Sequence, residues 1–579
     1  MNRPIPPPGL TGDGWLLRLS STAAREEPNA CPRAKAAKLR PLILPSSHQP
    51  PRRKGLQTFG MAPFMTALDL IEHQDQPVER VVEQLFASEG TFGYGPPAHP
   101  SLLDWTSQAI TRFLVARRSQ QTSAAGVSPT HPLRNLEWVA FRGRRTDPGD
   151  LDTAAVREYT AWGRRYESAD GRLRELWLPS YGKAKQNRSI AEQAAIAHVL
   201  FRGVPCRRPR FGQPYTRPDD SAFRGPDRVR VYEFGCAAGD STLLLNWSTQ
   251  EAAAAFAAHT APLLARAEVD ITTRPGTSCT DCKAIEGCGS LRRAEGLWPG
   301  TPSLQHSRRD ISAWDLRTYR SCPARYHLDR QLNLRALEEK ESEETRRGRA
   351  VDAWLNDQHS TRPGRSCRHL AGPADPDDWE AGGHRLTGGI ASQAAAMLSW
   401  HRTLCPLDAL GPEERILVQH TSAVHIPSLG VLLIATPDLL YTRDGGWFWR
   451  ETKTVSRLPG QGVSLMRRHP QLAIAVMMLA SRFDPETTRR SRVELELLHE
   501  DYPSLEQLDP SRPETVEEAR LLLAELAEPL LHDTLFAPAP GPHCADCPAR
   551  SWCRPGAQHL AGHTTRETVP PTREPRSRA

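Results

Sequence analysis

The chain has 579 residues, enough for two or more domains of ordinary size. Its 39% hydrophobic and 24% charged residues exclude an intrinsically disordered chain, and its net charge of +7 is a mild bias toward an anionic partner such as nucleic acid. The opening MNRPIPPPGL lacks the apolar core of a secretory signal, and the longest apolar run, LAIAVMMLA, is too short to cross a bilayer. The expectation is a cytoplasmic protein with no membrane association. In that compartment twelve cysteines point to metal binding rather than disulfides.

In chain order, CPRAKAAKLRPL begins at Cys31 with Cys-Pro and a basic, helix-forming stretch. ILPSSHQPPRRKG reads as a loop. GRLRELWLP, 171 to 179, reads as a strand, and QAAIA follows from Gln193. SCTDCKAIEGC then places Cys279, Cys282 and Cys288 in the spacing C-x2-C-x5-C. The junction AEGLWPGTPSLQHSRRD is rich in Pro, Gly and Ser and reads as a linker. Beyond it the order repeats: CPARYHLDRQLNL from Cys322, QLAIA from Gln471, and HCADCPARSWC with Cys544, Cys547 and Cys553. The offset between copies shrinks from 291 to 278 to 265 residues, as it would if the second copy carried shorter loops. The pattern predicts a tandem duplication, roughly 1–300 and 301–560, with a disordered tail over 561–579.

Three clustered cysteines are one short of a four-coordinate site. The repeat supplies the fourth: Cys322 for the second copy and Cys31 for the first. Each site would pin the start of its module to its end. Four-cysteine sites suit an iron–sulfur cluster or Zn²⁺, and the spacing does not choose between them. Cys206, Cys236, Cys367 and Cys405 have no matching partners and read as structural.

Residues 431 to 453, VLLIATPDLLYTRDGGWFWRETK, carry the second copy's chemistry. VLLIA is an apolar strand, Asp-Gly marks a hairpin turn, and WFWRETK is a second strand. Alternation puts Trp447, Trp449, Glu451 and Lys453 on one face, and the hairpin can bring Asp438 beside Glu451. Paired carboxylates on adjacent strands form a hard oxygen site suited to Mg²⁺ or Mn²⁺. A lysine two residues on can orient an attacking water or neutralise charge on a phosphate. The chain has eight lysines against 66 arginines, so a lysine at Glu-x-Lys is informative.

Pro437-Asp438 and Glu451-Thr452-Lys453 resemble the motif of the PD-(D/E)XK nuclease superfamily. The frame of one upstream and three downstream cysteines resembles its RecB/AddB-like branch, including RecB-like nucleases associated with CRISPR. WDLRTYRSCPARYHLDRQLNL, 314 to 334, resembles that branch's opening helix, and Gln471 resembles the glutamine of its Q-x3-Y helix. The resemblance covers about 310 to 555. It implies an α/β fold of two tandem restriction-endonuclease-like modules, each a mixed sheet flanked by helices. It also implies a 4Fe-4S cluster on Cys322, Cys544, Cys547 and Cys553, with a second cluster or Zn²⁺ on Cys31, Cys279, Cys282 and Cys288. It departs from the family at Asp352, four after Gly348, where a metal-binding His is common, and at Ala475, where Tyr is expected. Arg346, Arg347, Arg467 and Arg468 flank the motifs and read as solvated surface.

The first copy keeps its cysteines and loses the rest. Near WFWRETK it has Glu175, Trp177, Leu178 and Pro179; Arg164 stands near the place of Asp438, and Phe64 stands at that of Asp352. Lys183 and Lys185 are at best phosphate contacts. The expected activity is metal-dependent phosphodiester hydrolysis in the second module, with Asp438 and Glu451 on the metal, Asp352 assisting and Lys453 placing the water. The expected substrate is single- or double-stranded DNA, in repair, recombination or defence. The chain has no Walker-type loop, so a separate helicase would supply any unwinding. The rival reading is a non-catalytic nucleic-acid-binding or assembly subunit with both modules degenerate.

Overall fold

A computed structural model describes residues 9–46, 55–87, 92, 95–123, 129–143, 156–210, 212–216, 224–302, 308–337, 341–361, 367–369, 371–457 and 462–567. Lys54, Lys340, part of the loop read over ILPSSHQPPRRKG and the tail beyond 567 lie outside them. The stretch Arg554–Glu567 is helical. Among the described residues no helix is long and apolar enough to cross a membrane.

The architecture is α/β, with several mixed sheets flanked by helices. One five-stranded sheet runs, in spatial order, Ser241–Ser248, Arg228–Gly235, Leu173–Ser180, Arg164–Ser168 and Thr130–Pro132. The other runs Pro503–Leu508, Arg492–Leu498, Gly446–Thr454, Leu439–Arg443 and Ile416–Val418. Both have the same succession of pairings: antiparallel, parallel, antiparallel, antiparallel. Parallel neighbours need a helical crossover. The chain supplies Ile190–Arg202 in the first sheet and Pro470–Arg482 in the second, which carry QAAIA and QLAIA. Each sheet is accompanied by a four-stranded one. Leu16–Ser20 pairs parallel with Val156–Thr160 in one, and Arg309–Ile311 pairs parallel with Val431–Ala435 in the other.

Three local readings are corrected. VLLIA does not pair with WFWRETK: Val431–Ala435 belongs to the four-stranded sheet, and the hairpin partner is Leu439–Arg443. The chain changes sheets at Thr436-Pro437-Asp438, where Pro437 has no N–H to donate to a ladder. The hairpin turn is the expected one, with Asp444 at φ 52° and Gly445 at φ 77°. The stretch 314 to 334 is not one helix. Ala313–Ser321 stops at Cys322, whose extended backbone (φ −162°, ψ 112°) is imposed by the following proline, and Pro323–Tyr326 starts afresh. Cys31, before Pro32, is likewise extended. The junction is partly core: Leu297 and Trp298 are buried with Ile311, Leu429 and Leu433.

The hydrophobic clusters interlock the two halves. Phe64, Trp105, Phe113 and Trp177 pack with Leu328, Leu332, Trp552 and Cys553. Reciprocally, Cys31, Cys279 and Cys282 pack with Leu432 and Ile434. Each cysteine frame therefore seats against the other half of the chain.

Candidate active site

Glu451 and Lys453 share one face of Gly446–Thr454, and Asp438 stands at the corner entering the neighbouring strand. Lys453 Nζ lies 3.5 Å from Asp438 Oδ2 and 3.5 Å from Glu451 Oε2. Each carboxylate is held by a donor. The Thr452 N–H donates to Asp438 Oδ2 at 2.7 Å, and Trp449 Nε1–H donates to Glu451 Oε1 at 3.0 Å. Asp352 arrives on the helix Glu343–Thr361. Gly348 lets that helix approach the sheet, because a Cβ there would lie 3.1 Å from Thr454 Oγ1.

Gln419 ties the elements together, a residue that no motif marks. Its backbone sits at φ 48°, a conformation few side chains adopt. Its amide N–H₂ donates to Asp438 Oδ1 at 3.1 Å and Asn356 Oδ1 at 3.3 Å, and reaches Asp352 Oδ1 at 3.5 Å.

The electrostatics are those of an under-compensated anionic site. Burial first and the Asp438 charge beside it push Glu451 up to about 7, against the opposing pull of Lys453. Asp352 keeps solvent contact, yet partial desolvation and then Asp438 push it up to about 6. Desolvation would lower Lys453, but Asp438, Glu451 and Asp352 together raise it, so it stays an ammonium. Three carboxylates facing one lysine suit a divalent cation with oxygen ligands.

Gln471 lies in the first turn of Pro470–Arg482, buried, and neither amide atom has a hydrogen-bond partner. His469 sits near Lys453; burial first, then that charge, lowers its pKa. Ala475 is buried in the core. Of the flanking arginines, Arg347 is not surface: it is 4% exposed and donates to Gln393 Oε1 and Ser456 Oγ. Arg467 pairs with Glu525 at 2.8 Å, and Arg346 lies 3.8 Å from Glu341.

In the first sheet the same positions are filled. Counted from Asp170-Gly171 as from Asp444-Gly445, Arg164 replaces Asp438, Trp177 replaces Glu451 and Pro179 replaces Lys453. Trp177 is fully buried, stacked on Tyr232 with ring centroids 4.7 Å apart and edge-on to Phe113 at 5.6 Å. Phe64 meets Phe113 at 5.8 Å. Arg164 is buried against Asp69 and Glu72. Glu175 is buried too, and Arg117 and Thr130 bond it at 3.1 and 2.8 Å.

The cysteines converge as two frames. Cys322, Cys544, Cys547 and Cys553 line one small pocket. The Ala539 N–H donates to Cys322 Sγ and the Gly541 N–H to Cys544 Sγ, both at 3.4 Å. A Cβ at Gly556 would meet the sulfurs of Cys544 and Cys553 at 3.4 Å. Cys31, Cys279, Cys282 and Cys288 gather in the first frame, close enough that each thiolate would raise the pKa of Cys279. There the Arg274 N–H donates to Cys31 Sγ, again at 3.4 Å and again from five residues before the triad. Cys367 and Cys405, expected to be merely structural, lie together with His359 and His401.

A groove of about 820 Å³ reaches Gln419 and Trp449, the residues that bond Asp438 and Glu451, while none of the carboxylates lines it. Gln419 and Trp449 border it, with Arg274 and Arg292 from the first half and Trp447, Arg482 and Phe483 from the second. Trp447 and Phe483 stack at 5.6 Å.

Residues 310–554 match the sequence model of the PD-(D/E)XK nuclease superfamily. A solved structure titled "Crystal structure of SSO0001" is 12% identical, with 43% of this chain and 86% of that chain covered and a TM-score of 0.22. A search of curated proteins found no match.

Proposed function

We propose that this chain is a metal-dependent nuclease of the RecB/AddB-like kind that hydrolyses phosphodiester bonds of DNA, with chemistry confined to the second module. The observation that carries the reading is the Lys453 ammonium 3.5 Å from both Asp438 and Glu451. Asp438, Glu451 and Asp352 would hold Mg²⁺ or Mn²⁺, which supplies Lewis acidity and a nucleophilic water at neutral pH. The protein's own part is preorganisation. Thr452 and Trp449 fix the two carboxylates, and Gln419 spans Asp438 and Asp352. Lys453 holds positive charge where a phosphate gathers negative charge. Gln471, with its amide unspent, is assigned to substrate contact.

The first module, roughly 1–300, is a nuclease fold whose site has been plugged by Trp177 and Phe64. Its remaining role is to wall the groove with Arg274 and Arg292, where arginines grip phosphates and the Trp447–Phe483 pair offers a stacking face. The four-cysteine frames, which resemble those of the RecB/AddB-like branch, would hold 4Fe-4S clusters. A helicase acting beside the chain would present the unwound strand.

The test is cleavage of single- and double-stranded DNA with Mg²⁺ and with Mn²⁺, wild type against Lys453→Ala. Metal-dependent cleavage lost in the variant supports the reading. Tight DNA binding without cleavage under either metal selects the non-catalytic subunit, which Asp352 in place of the family's His favours.

A further inference from the structure

Behind the candidate active site lies a second constellation. His359 lies in the last turn of the helix that carries Asp352, Cys367 opens the 3₁₀ turn Cys367–His369, and His401 and Cys405 stand at the end of Gly389–Leu404. All four are buried, from 0% exposed at Cys367 to 6% at Cys405. Their ligand atoms all lie within 4.8 Å of one another. His359 Nε2 is 3.3 Å from Cys367 Sγ and 3.9 Å from Cys405 Sγ. With bonds of about 2.0 to 2.3 Å, the edge of a tetrahedral zinc site is about 3.5 Å, so these distances bracket it.

His401 supplies an independent sign. Its Nδ1 lies 2.8 Å from Glu496 Oε1, which leaves the buried Nε2 to face the Cys405 thiol. A carboxylate on one imidazole nitrogen, with the other aimed at soft ligands, is how proteins orient a metal-binding histidine. Two thiolates balance a divalent cation, and the Glu496 carboxylate lies 3.8 Å from Arg450, which also bonds Glu494 at 2.8 Å.

We infer that His359, Cys367, His401 and Cys405 form a closed, structural Zn²⁺ site. Two sulfur and two nitrogen ligands with no open position favour zinc over Mg²⁺ or Ca²⁺ and exclude a catalytic water. Binding releases the two thiol protons. The ion joins the Asp352 helix, the 367 turn and the helix Gly389–Leu404 to the sheet. Glu496, which holds His401, also accepts from Thr452 Oγ1 at 3.1 Å and so reaches the strand of the candidate active site. The site is a clamp on the back of the strand that carries Glu451 and Lys453, and it does not depend on that strand being catalytic.

The test uses full-length protein isolated without chelator. The site predicts one zinc per chain, lost in Cys367→Ser and in Cys405→Ser while iron content is unchanged. Since either variant can fail to fold, the wild type is also examined directly. Cys367 and Cys405 should resist alkylation in the native protein until a strong chelator is added. Exchange with Co²⁺ should give tetrahedral visible bands with thiolate-to-cobalt charge transfer. Free alkylation of both thiols without chelator, a Cys367–Cys405 disulfide in fresh protein, or zinc content unchanged in both folded variants would each overturn the assignment.

Discussion

Asp438 is held by the residue that separates its two partners: its Oδ2 accepts the Thr452 N–H at 2.7 Å, between Glu451 and Lys453 in sequence. The loop acid and the strand acid are therefore positioned by one peptide unit, and a shift of that strand moves all three groups together.

That coupling sets the first expectation. Asp438→Asn keeps an acceptor for the Thr452 N–H and removes only charge, and Lys453→Ala removes the cation. Each should lower DNA cleavage at least about 100-fold, on the scale of losing one preorganised electrostatic group. DNA binding and the melting temperature should stay near wild type. Either variant cutting at the wild-type rate would remove the residue from the chemistry.

Glu451 makes stability depend on pH. Its folded pKa is raised from 4.5 to about 7, so the folded state binds the proton more tightly than the unfolded chain does. In metal-free protein, stability should fall as pH rises from about 4.5 to 7, by up to about 3 kcal/mol. Glu451→Gln should flatten that slope, and Mg²⁺ should bind more tightly at pH 8 than at pH 5.5. Denaturant titrations at several pH values read the slope; an unchanged slope in Glu451→Gln counts against the shift.

The cysteine frames give a third test. Anaerobically prepared protein should be brown and contain iron for two clusters. Closing the loop from Cys322 to Cys544 is worth several kcal/mol by loop-closure arguments, a large share of a domain's ~5–15 kcal/mol. Cys322→Ser should open not only residues near 322 and 553 to protease but also Phe64 and Trp105, which pack against that frame. Colourless wild type with stoichiometric zinc in the frames would refute the cluster assignment. Unchanged proteolysis of Cys322→Ser would show that Cys322 is no ligand.

Arg482 lies over the Trp447 ring at 5.8 Å, beside the stacked Trp447–Phe483 pair in the groove. Arg482→Ala should weaken DNA binding similarly for all sequences and lower the slope of log affinity against log salt by about 1. Titrations at several salt concentrations measure it; an unchanged slope would place the phosphate path elsewhere.

Much of the candidate site was legible because the chemistry is local in sequence. Alternation put Glu451 and Lys453 on one face, the Asp-Gly turn fixed the hairpin, and the doubled cysteine spacing named the partners at Cys31 and Cys322. The strand over WFWRETK and the helix with Gln471 in its first turn stand where their patterns placed them. What spacing could not carry was contact between distant elements. Gln419 reaches Asp438 and Asp352 only because its left-handed backbone turns at a sheet edge. Trp177 and Phe64, distant in sequence, are joined only through Phe113, which packs against both. The helix break at Cys322 was written in the proline after it, yet the resemblance of 314 to 334 to one opening helix hid it. His359, Cys367, His401 and Cys405 form no compact motif, since 33 residues separate Cys367 from His401. Their meeting depends on two helices packing behind one sheet, and burial there decided what their spacing left open.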